Sequence, residues 1–160
     1  MDDAQHLIAD LAARVRRLED EREILRVLTR YGFAVDVGDA DAAAALYAED
    51  TVIDLGPTSE FEGVEGARRL VLDERHQAIV GRCAHTLGPF VVDAVDGDHA
   101  RATGYVRVYV ADDATGTPAL WRLSVTSLEL ERSGSTWLIT RRLSRAIGAD
   151  DGPDVLELGL

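Results

Sequence analysis

The sequence is poor in cysteine and has no long apolar run. Cys83 is the single cysteine, which rules out an intrachain disulfide framework and is compatible with a reducing compartment. No stretch approaches the roughly 20 apolar residues that a membrane-spanning helix needs. The acidic start, with its interrupted apolar positions, differs from a secretory signal. We therefore expect a soluble, cytoplasmic protein with no membrane partner.

Positive charge is also scarce. The 160 residues carry 29 acidic and 17 basic side chains, for a net charge of −12. The arginines occur in pairs between acidic residues, as in Arg16-Arg17 and Arg141-Arg142, so no basic stripe forms. Such a surface repels a polyanion, and we do not expect nucleic acid as a partner. The length suits one compact domain that buries roughly two thirds of its unfolded surface.

A helical stripe dominates the first 35 residues. Between Gln5 and Val35, apolar side chains recur at spacings of three, four and seven, as on one face of an α-helix. They are Ile8, Leu11, Val15, Leu18, Leu25 and Leu28. The spacing in the arm, residues 1–20, resembles two coiled-coil heptads, so we interpret it as a docking surface in a homo-oligomer. An ordinary core-facing helix fits the same pattern.

The rest of the chain predicts two further helices and then strands. Asp39 or Asp41 caps a short alanine-rich helix that runs to about Ala48, and residues 63–79 repeat apolar side chains at helical spacing. Strands are predicted at 51–55, 84–94, 101–111, 120–131 and 137–146, between turn clusters. Helices first and strands afterwards indicate an α+β fold, in which one curved, mostly antiparallel sheet wraps three N-terminal helices.

Residues 149–160 form a C-terminal tail outside this pattern. The tail begins with Asp, Gly and Pro and then carries Leu156, Leu158 and Leu160 at strand spacing. A lid, an edge strand for a neighbouring subunit and disorder all fit this composition. We therefore place the end of the domain at residue 148.

Tyr31, Asp36 and His85 are the candidate catalytic residues. Tyr31 and Asp36 lie five positions apart at the end of the first helix, and His85 lies at a strand start. In an apolar cavity, a hydrogen bond from His85 would offset the desolvation of Asp36 and raise imidazole basicity. His85 could then remove a proton alpha to a carbonyl while Tyr31 donates to the oxygen. The structural alternatives are a core aromatic, a helix-end cap and a buried structural histidine.

Several short motifs occur in a characteristic order. They are Tyr31-x4-Asp36, Gly38-Asp39-x-Asp41, Leu46-Tyr47-x-x-Asp50, the helix start from Gly63 to Arg68, His85 opening a strand, and Gly134-x-x-Trp137-x-Ile139-x-x-Arg142. In this order they resemble the SnoaL-like branch of the nuclear transport factor 2-like superfamily, over roughly residues 21–147. That group includes scytalone dehydratase, bile-acid dehydratases and polyketide cyclases.

The resemblance implies a conical α+β barrel over residues 1–148 with a deep, largely apolar pocket. It also implies assembly into trimers, dimers or other homo-oligomers, without a metal or an organic cofactor. In the dehydratases a Tyr, an Asp and a His match the three candidates above, and an arginine matches Arg145 approximately. The second active-site histidine and tyrosine of scytalone dehydratase have no clear match, since His76 lies on a predicted helix and His99 lies beside a turn.

Aromatic side chains on the later strands supply candidate substrate-binding residues. Tyr105 lies on one strand and Trp121 begins another, where they line a pocket mouth or cover the sheet. If they line the pocket, they favour a flat or ring-containing apolar ligand, so we add both to Arg145 as substrate-binding candidates.

Metal binding and nucleophilic catalysis find less support. The four histidines lack metal-ligand spacing, so no metal site is expected. Cys83 and His85 share a strand face, but no third group is indicated that would orient a nucleophilic pair.

By this resemblance we expect a cofactor-independent lyase, a dehydratase acting on a hydrophobic ring-containing substrate such as a steroid or polyketide. A polyketide cyclase or a double-bond isomerase would use the same residues. A non-catalytic small-molecule-binding or dimerisation module is the alternative from another class. Such a module has no need to hold a carboxylate and an imidazole in hydrogen-bond contact inside a cavity.

Overall fold

The computed structural model describes residues 2–57 and 59–160. Its helices are α1 (Asp2–Asp36), α2 (Ala40–Ala44), α3 (Gly63–Leu72), α4 (Glu74–Gln77) and α5 (Gly152–Glu157). Its strands are β1 (Tyr47–Asp54), β2 (Glu60–Glu62), β3 (Cys83–Asp96), β4 (His99–Ala111), β5 (Pro118–Ser133) and β6 (Thr136–Ala146). None of the described helices is both long and apolar enough to cross a membrane.

The six strands form one sheet in the order β2-β1-β6-β5-β4-β3. Strands β3 to β6 follow one another as an antiparallel meander, whereas β1 pairs with β6 in parallel. The predicted α+β class and the mostly antiparallel sheet are confirmed. Among the described residues, β2 and β3 each pair with one neighbour, so the curved sheet stays unclosed around the helices.

The two halves of α1 have different surroundings. In the second half, Ile24, Leu28 and Val35 are buried against the sheet, with exposures of 1%, 2% and 2%. In the arm, apolar side chains are 47% to 66% exposed. They are Leu7, Ile8, Leu11, Val15 and Leu18. The core-facing alternative therefore applies to the second half of the helix and not to the arm.

Three local predictions are wrong, and each has a physical reason. Helix α2 begins after the predicted cap Asp39 but ends at Ala44, because Tyr47 already pairs with β6. The helix predicted over residues 63–79 is interrupted at Asp73, which is extended (ψ 138°) and accepts a hydrogen bond from the Arg75 N–H that caps α4. The leucines near the C-terminus lie on and after a helix rather than a strand.

Helix α5 lies on the sheet. It begins at Gly152 with Pro153 in its first turn, a position that tolerates proline because no intrahelical donor is needed there. Val155 is 2% exposed, and the helix packs against β4, β5 and β6. In the described part of residues 149–160, no side chain lines the cavity described below.

Candidate active site

A cavity of about 300 Å³ lies between the helices and the inner face of the sheet. Most of its wall surface is apolar, and polar groups are placed among the apolar side chains, as in small-molecule sites generally. The polar and charged lining residues are Tyr31, Ser59, Asp73, Arg75, His76, His85, Trp121, Arg122, Ser124, Arg142 and Ser144. Tyr31 and His85, two of the three predicted catalytic residues, therefore face the same space.

Asp36 forms hydrogen bonds with both the ring and the backbone of His85. Nδ1 of His85 lies 2.7 Å from Oδ1 of Asp36, and the backbone N–H of His85 donates to both carboxylate oxygens at 3.0 Å. Because a carboxylate only accepts, Nδ1 carries the proton and Nε2 keeps its lone pair. Burial lowers the pKa of His85 below 6.5, against the opposing effect of Asp36. The imidazole is therefore a neutral base at pH 7.

Two glycines in and after α1 set this contact. Gly38 has a φ of 74° and ends the helix in a left-handed turn two residues after Asp36. Gly32 faces β3, and a Cβ there would lie 2.7 Å from the carbonyl oxygen of His85. The bare glycine thus lets the helix approach the strand closely enough for the carboxylate to reach the imidazole.

A buried arginine joins the site on its other side. Nη1 of Arg142 donates to the hydroxyl oxygens of Tyr31 at 2.6 Å and of Tyr47 at 3.3 Å. Its guanidinium also lies 5.0 Å from the centre of the Tyr31 ring. Since the oxygen of Tyr31 accepts from Arg142, its own O–H remains available to donate to a ligand. Burial raises the pKa of Tyr47, so that hydroxyl stays protonated.

His76 lies beside His85. The two ring centres are 5.6 Å apart, and Nδ1 of His76 is 2.8 Å from the carbonyl oxygen of Val71. This contact leaves Nε2 of His76 with the lone pair, buried and without a hydrogen-bond partner in the described part of the chain.

The fold brings possible metal ligands together that are distant in sequence. Donor atoms of His76, Cys83 and His85 lie within 4.8 Å of one another. The lack of metal-ligand spacing in the sequence therefore does not exclude a metal site made by these three residues. However, the Cys83 thiol donates to Asp36 at 3.4 Å, and burial raises its pKa to about 11. It is a thiol at neutral pH, which suits neither zinc ligation nor nucleophilic attack without loss of its proton.

Comparison with known proteins identifies the family. The SnoaL-like domain matches residues 16–143. A nuclear transport factor 2-like protein with a cystatin-like fold from Novosphingobium aromaticivorans is 32% identical, with a TM-score of 0.84 over 92% of this chain and 96% of its own. The chain belongs to the SnoaL-like family. No curated protein matches it.

More distant solved structures share the fold of this SnoaL-like chain. A candidate scytalone dehydratase from Novosphingobium aromaticivorans is 17% identical, with a TM-score of 0.72 over 83% of this chain and 87% of its own. A hexachlorocyclohexane dehydrochlorinase, LinA-type3, from Novosphingobium barchaimii LL02 is 19% identical, with a TM-score of 0.70 over 84% and 90%. The same architecture thus occurs in proteins described as a dehydratase and a dehydrochlorinase.

Two predicted substrate-binding residues lie away from the cavity of this SnoaL-like domain. Tyr105 and Arg145 are both cross-strand partners of Val125 and lie on the sheet face opposite the cavity. Arg145 binds Asp54 through two hydrogen bonds, of 2.8 and 2.9 Å, and also contacts Asp151. The role predicted for these two residues does not apply to this cavity, because strand alternation turns them outward.

Trp121 does line the cavity, together with its neighbour Arg122. Adjacent strand residues normally face opposite sides, but here Arg122 pairs with Val108 and Leu120 pairs with Tyr109. Trp121 is therefore the extra residue of a β-bulge, which turns both side chains toward the cavity. Trp121 is 57% exposed and lies at the mouth.

Sequence reasoning missed the cavity-lining residues His76, Arg122 and Arg142, and it also missed Tyr47, whose hydroxyl accepts a hydrogen bond from Arg142. Tyr47 and Arg142 occur in the motifs that carried the family resemblance, so a signal for them was present. Arg122 had no such signal, because its orientation depends on the bulge. His76 faces the cavity because α3 ends at Leu72 and a separate turn follows.

Proposed function

We propose that this SnoaL-like protein is a cofactor-independent dehydratase acting on a hydrophobic, ring-containing substrate such as a steroid or polyketide. The contact of 2.7 Å between Asp36 and His85 at the wall of an apolar cavity is the observation that carries the proposal. A non-catalytic module would not need this buried acid and base. The shared fold of the dehydratase and the dehydrochlorinase described above adds support.

The reaction would proceed by acid/base elimination. Nε2 of His85 removes the proton alpha to a carbonyl, and the negative charge that develops on the carbonyl oxygen accepts hydrogen bonds from Tyr31 and Arg142. The electron pair of the C–H bond then forms the carbon–carbon double bond as the C–O bond to the leaving hydroxyl breaks. The imidazolium returns its proton to that hydroxyl, so one water leaves and the enzyme is restored.

The same groups support a cyclase or a double-bond isomerase. In an isomerase the imidazolium returns the proton to a different carbon. In a cyclase the enolate attacks a second carbonyl of the same molecule, and the imidazolium gives its proton to the alkoxide that forms. Both begin with proton removal by His85, so only the product distinguishes them from a dehydratase.

Product analysis in deuterated buffer tests the proposal. We expect ring-bearing β-hydroxy ketones to lose one water in the presence of the protein, and unreacted substrate to gain deuterium at the alpha carbon, as followed by mass spectrometry. The variant Tyr105→Phe, on the opposite sheet face, should behave as the wild type. Deuterium exchange without loss of water would favour the isomerase or cyclase. Ligands that raise the melting temperature but undergo neither change would favour the binding module.

We also propose that the arm pairs with a second copy of the chain in a dimer or trimer. The exposed apolar stripe of α1, with heptad-like spacing, supports this. We expect light scattering after size-exclusion chromatography to give a multiple of 17.4 kDa. The double variant Leu11→Glu/Leu18→Glu should reduce the mass to that of one chain, whereas Ala9→Glu, next to the stripe, should not. A monomeric wild type would contradict the proposal.

A further inference from the structure

The cavity concentrates positive charge in an otherwise acidic protein. The chain carries a net charge of −12, yet the charged groups that line the cavity, histidines aside, are Arg75, Arg122, Arg142 and a single Asp73. Asp73 is at the exposed rim, where its side chain already accepts the N–H of Arg75. The inner part of the cavity therefore presents two guanidinium groups.

Neither of the two inner arginines has an acidic partner among the described residues. The hydrogen bonds of the Arg142 guanidinium go to the hydroxyl groups of Tyr31, Tyr47 and Ser144. Across residues 2–57 and 59–160, the Arg122 side chain makes no hydrogen bond or ion pair with a protein group.

Several arginines outside the cavity have acidic partners. Arg68, Arg132 and Arg145 each bind a carboxylate. Because a buried charge is costly unless it is paired, the unpaired arginines of the cavity call for a negative charge from outside the protein.

The charge of Arg142 also acts on Arg122. Burial lowers the pKa of Arg122, and the charge of Arg142 lowers it further. Both groups nevertheless stay protonated, because an arginine side chain loses its proton only at strongly alkaline pH. An anion between or beside them would relieve both effects.

We propose that the substrate carries a carboxylate, which Arg122 holds just inside the mouth of the cavity while Trp121, at the mouth itself, covers the adjoining ring. This inference rests on the proposed function for the reaction at His85 and adds a second recognition element to it. The planar guanidinium matches a carboxylate in two parallel hydrogen bonds. The bulge places the arginine and the indole side by side, so the charged and the aromatic parts of one molecule are bound together. Arg142, which lies deeper, remains directed at the reacting oxygen.

A matched pair of probes tests this inference by binding alone. We expect 2-naphthoate to bind more tightly than its neutral isostere 2-naphthamide by roughly ten- to a hundredfold, as measured by calorimetry at low salt. Arg122→Gln should abolish the difference while still binding the amide, which also shows that the variant is folded. Arg141→Gln removes the same charge from the outer sheet face and should keep the preference.

Equal affinities of the wild type for the two probes would overturn the inference, and so would an unchanged preference in Arg122→Gln. Loss of the preference in Arg142→Gln alone would also overturn it, since the deeper arginine would then hold the carboxylate. His85→Ala should bind 2-naphthoate as the wild type does. If the protein catalyses no elimination, the preference for 2-naphthoate can still be observed. If it shows no such preference, the proposed elimination at His85 is not contradicted.

Discussion

Replacing His85 with alanine is expected to lower turnover by about a hundred- to ten-thousandfold, the usual contribution of a general base. Asp36→Asn should cause a loss of similar size, because an amide does not hold the imidazole in the required tautomer as a carboxylate does. Initial rates at saturating substrate measure the effect. His99→Gln, at the start of β4, is the matched control and should keep the wild-type rate. Wild-type turnover in both dyad variants would contradict the assignment.

The pH profile gives an independent measure of the same base. Because the pKa of His85 lies below 6.5, kcat/KM should fall on the acid side with a midpoint below that value and stay level above it. The His85→Ala variant should lose this limb. The stability of the fold should also decrease on the acid side. The unfolded chain binds a proton at His85 more readily than the folded protein does, so the free energy of unfolding should fall as the pH drops below 6.5. An acid limb unchanged in His85→Ala would assign it to another group.

The second large effect is expected from Arg142→Met, with Arg145→Met as its matched control on the same strand. Removing Arg142 takes away a buried donor to the developing oxyanion, which should lower kcat by about a hundred- to a thousandfold. Removing Arg145 should leave kcat unchanged. The substitution removes the ion pair with Asp54, in which the side chains of Arg145 and Asp54 are 13% and 20% exposed. We expect this loss to lower the free energy of unfolding by about 1–3 kcal/mol.

Steady-state kinetics and urea denaturation separate these two roles. Arg142→Met should cost less stability than Arg145→Met, because the partners of Arg142 are hydroxyl groups and no carboxylate is left buried without its counter-charge. If Arg145→Met were the inactive variant and Arg142→Met remained active, the site would lie on the opposite face of the sheet. That outcome would remove the cavity from the mechanism.

The sequence predicted the class of fold and the pairing of Asp36 with His85, because both depend on features that a sequence displays directly. Helical periodicity and turn residues define the elements, and the order of the short motifs is typical of one family of folds. The acid and base lie at the end of one element and the start of another, so their positions follow once the elements are known. The resemblance to the dehydratases, in which a Tyr, an Asp and a His match these positions, supported the pairing.

Arg145 was predicted from an approximate match to an arginine of the bile-acid dehydratases, and the residue pattern along β6 does not correct that choice. Trp137 and Ile139 are buried, and strict alternation from them would turn Arg145 inward. Leu130 pairs with Ile139, however, while Glu129 pairs with Arg141, so Thr140 is an extra residue that reverses the alternation. Arg142 faces inward as a result. Bulges of this kind depend on contacts between strands, which a single sequence does not display.

The close approach at Gly32 has a consequence for the geometry of the dyad. Backbone meets backbone where α1 crosses β3, so the separation of acid and base is fixed by main-chain atoms rather than by adjustable side chains. The orientation of the His85 imidazole therefore depends on the position of the whole helix α1. In a relative with a bulkier residue at this crossing, the helix would have to tilt away from the strand. The histidine of that relative would then face its ligand at a different angle.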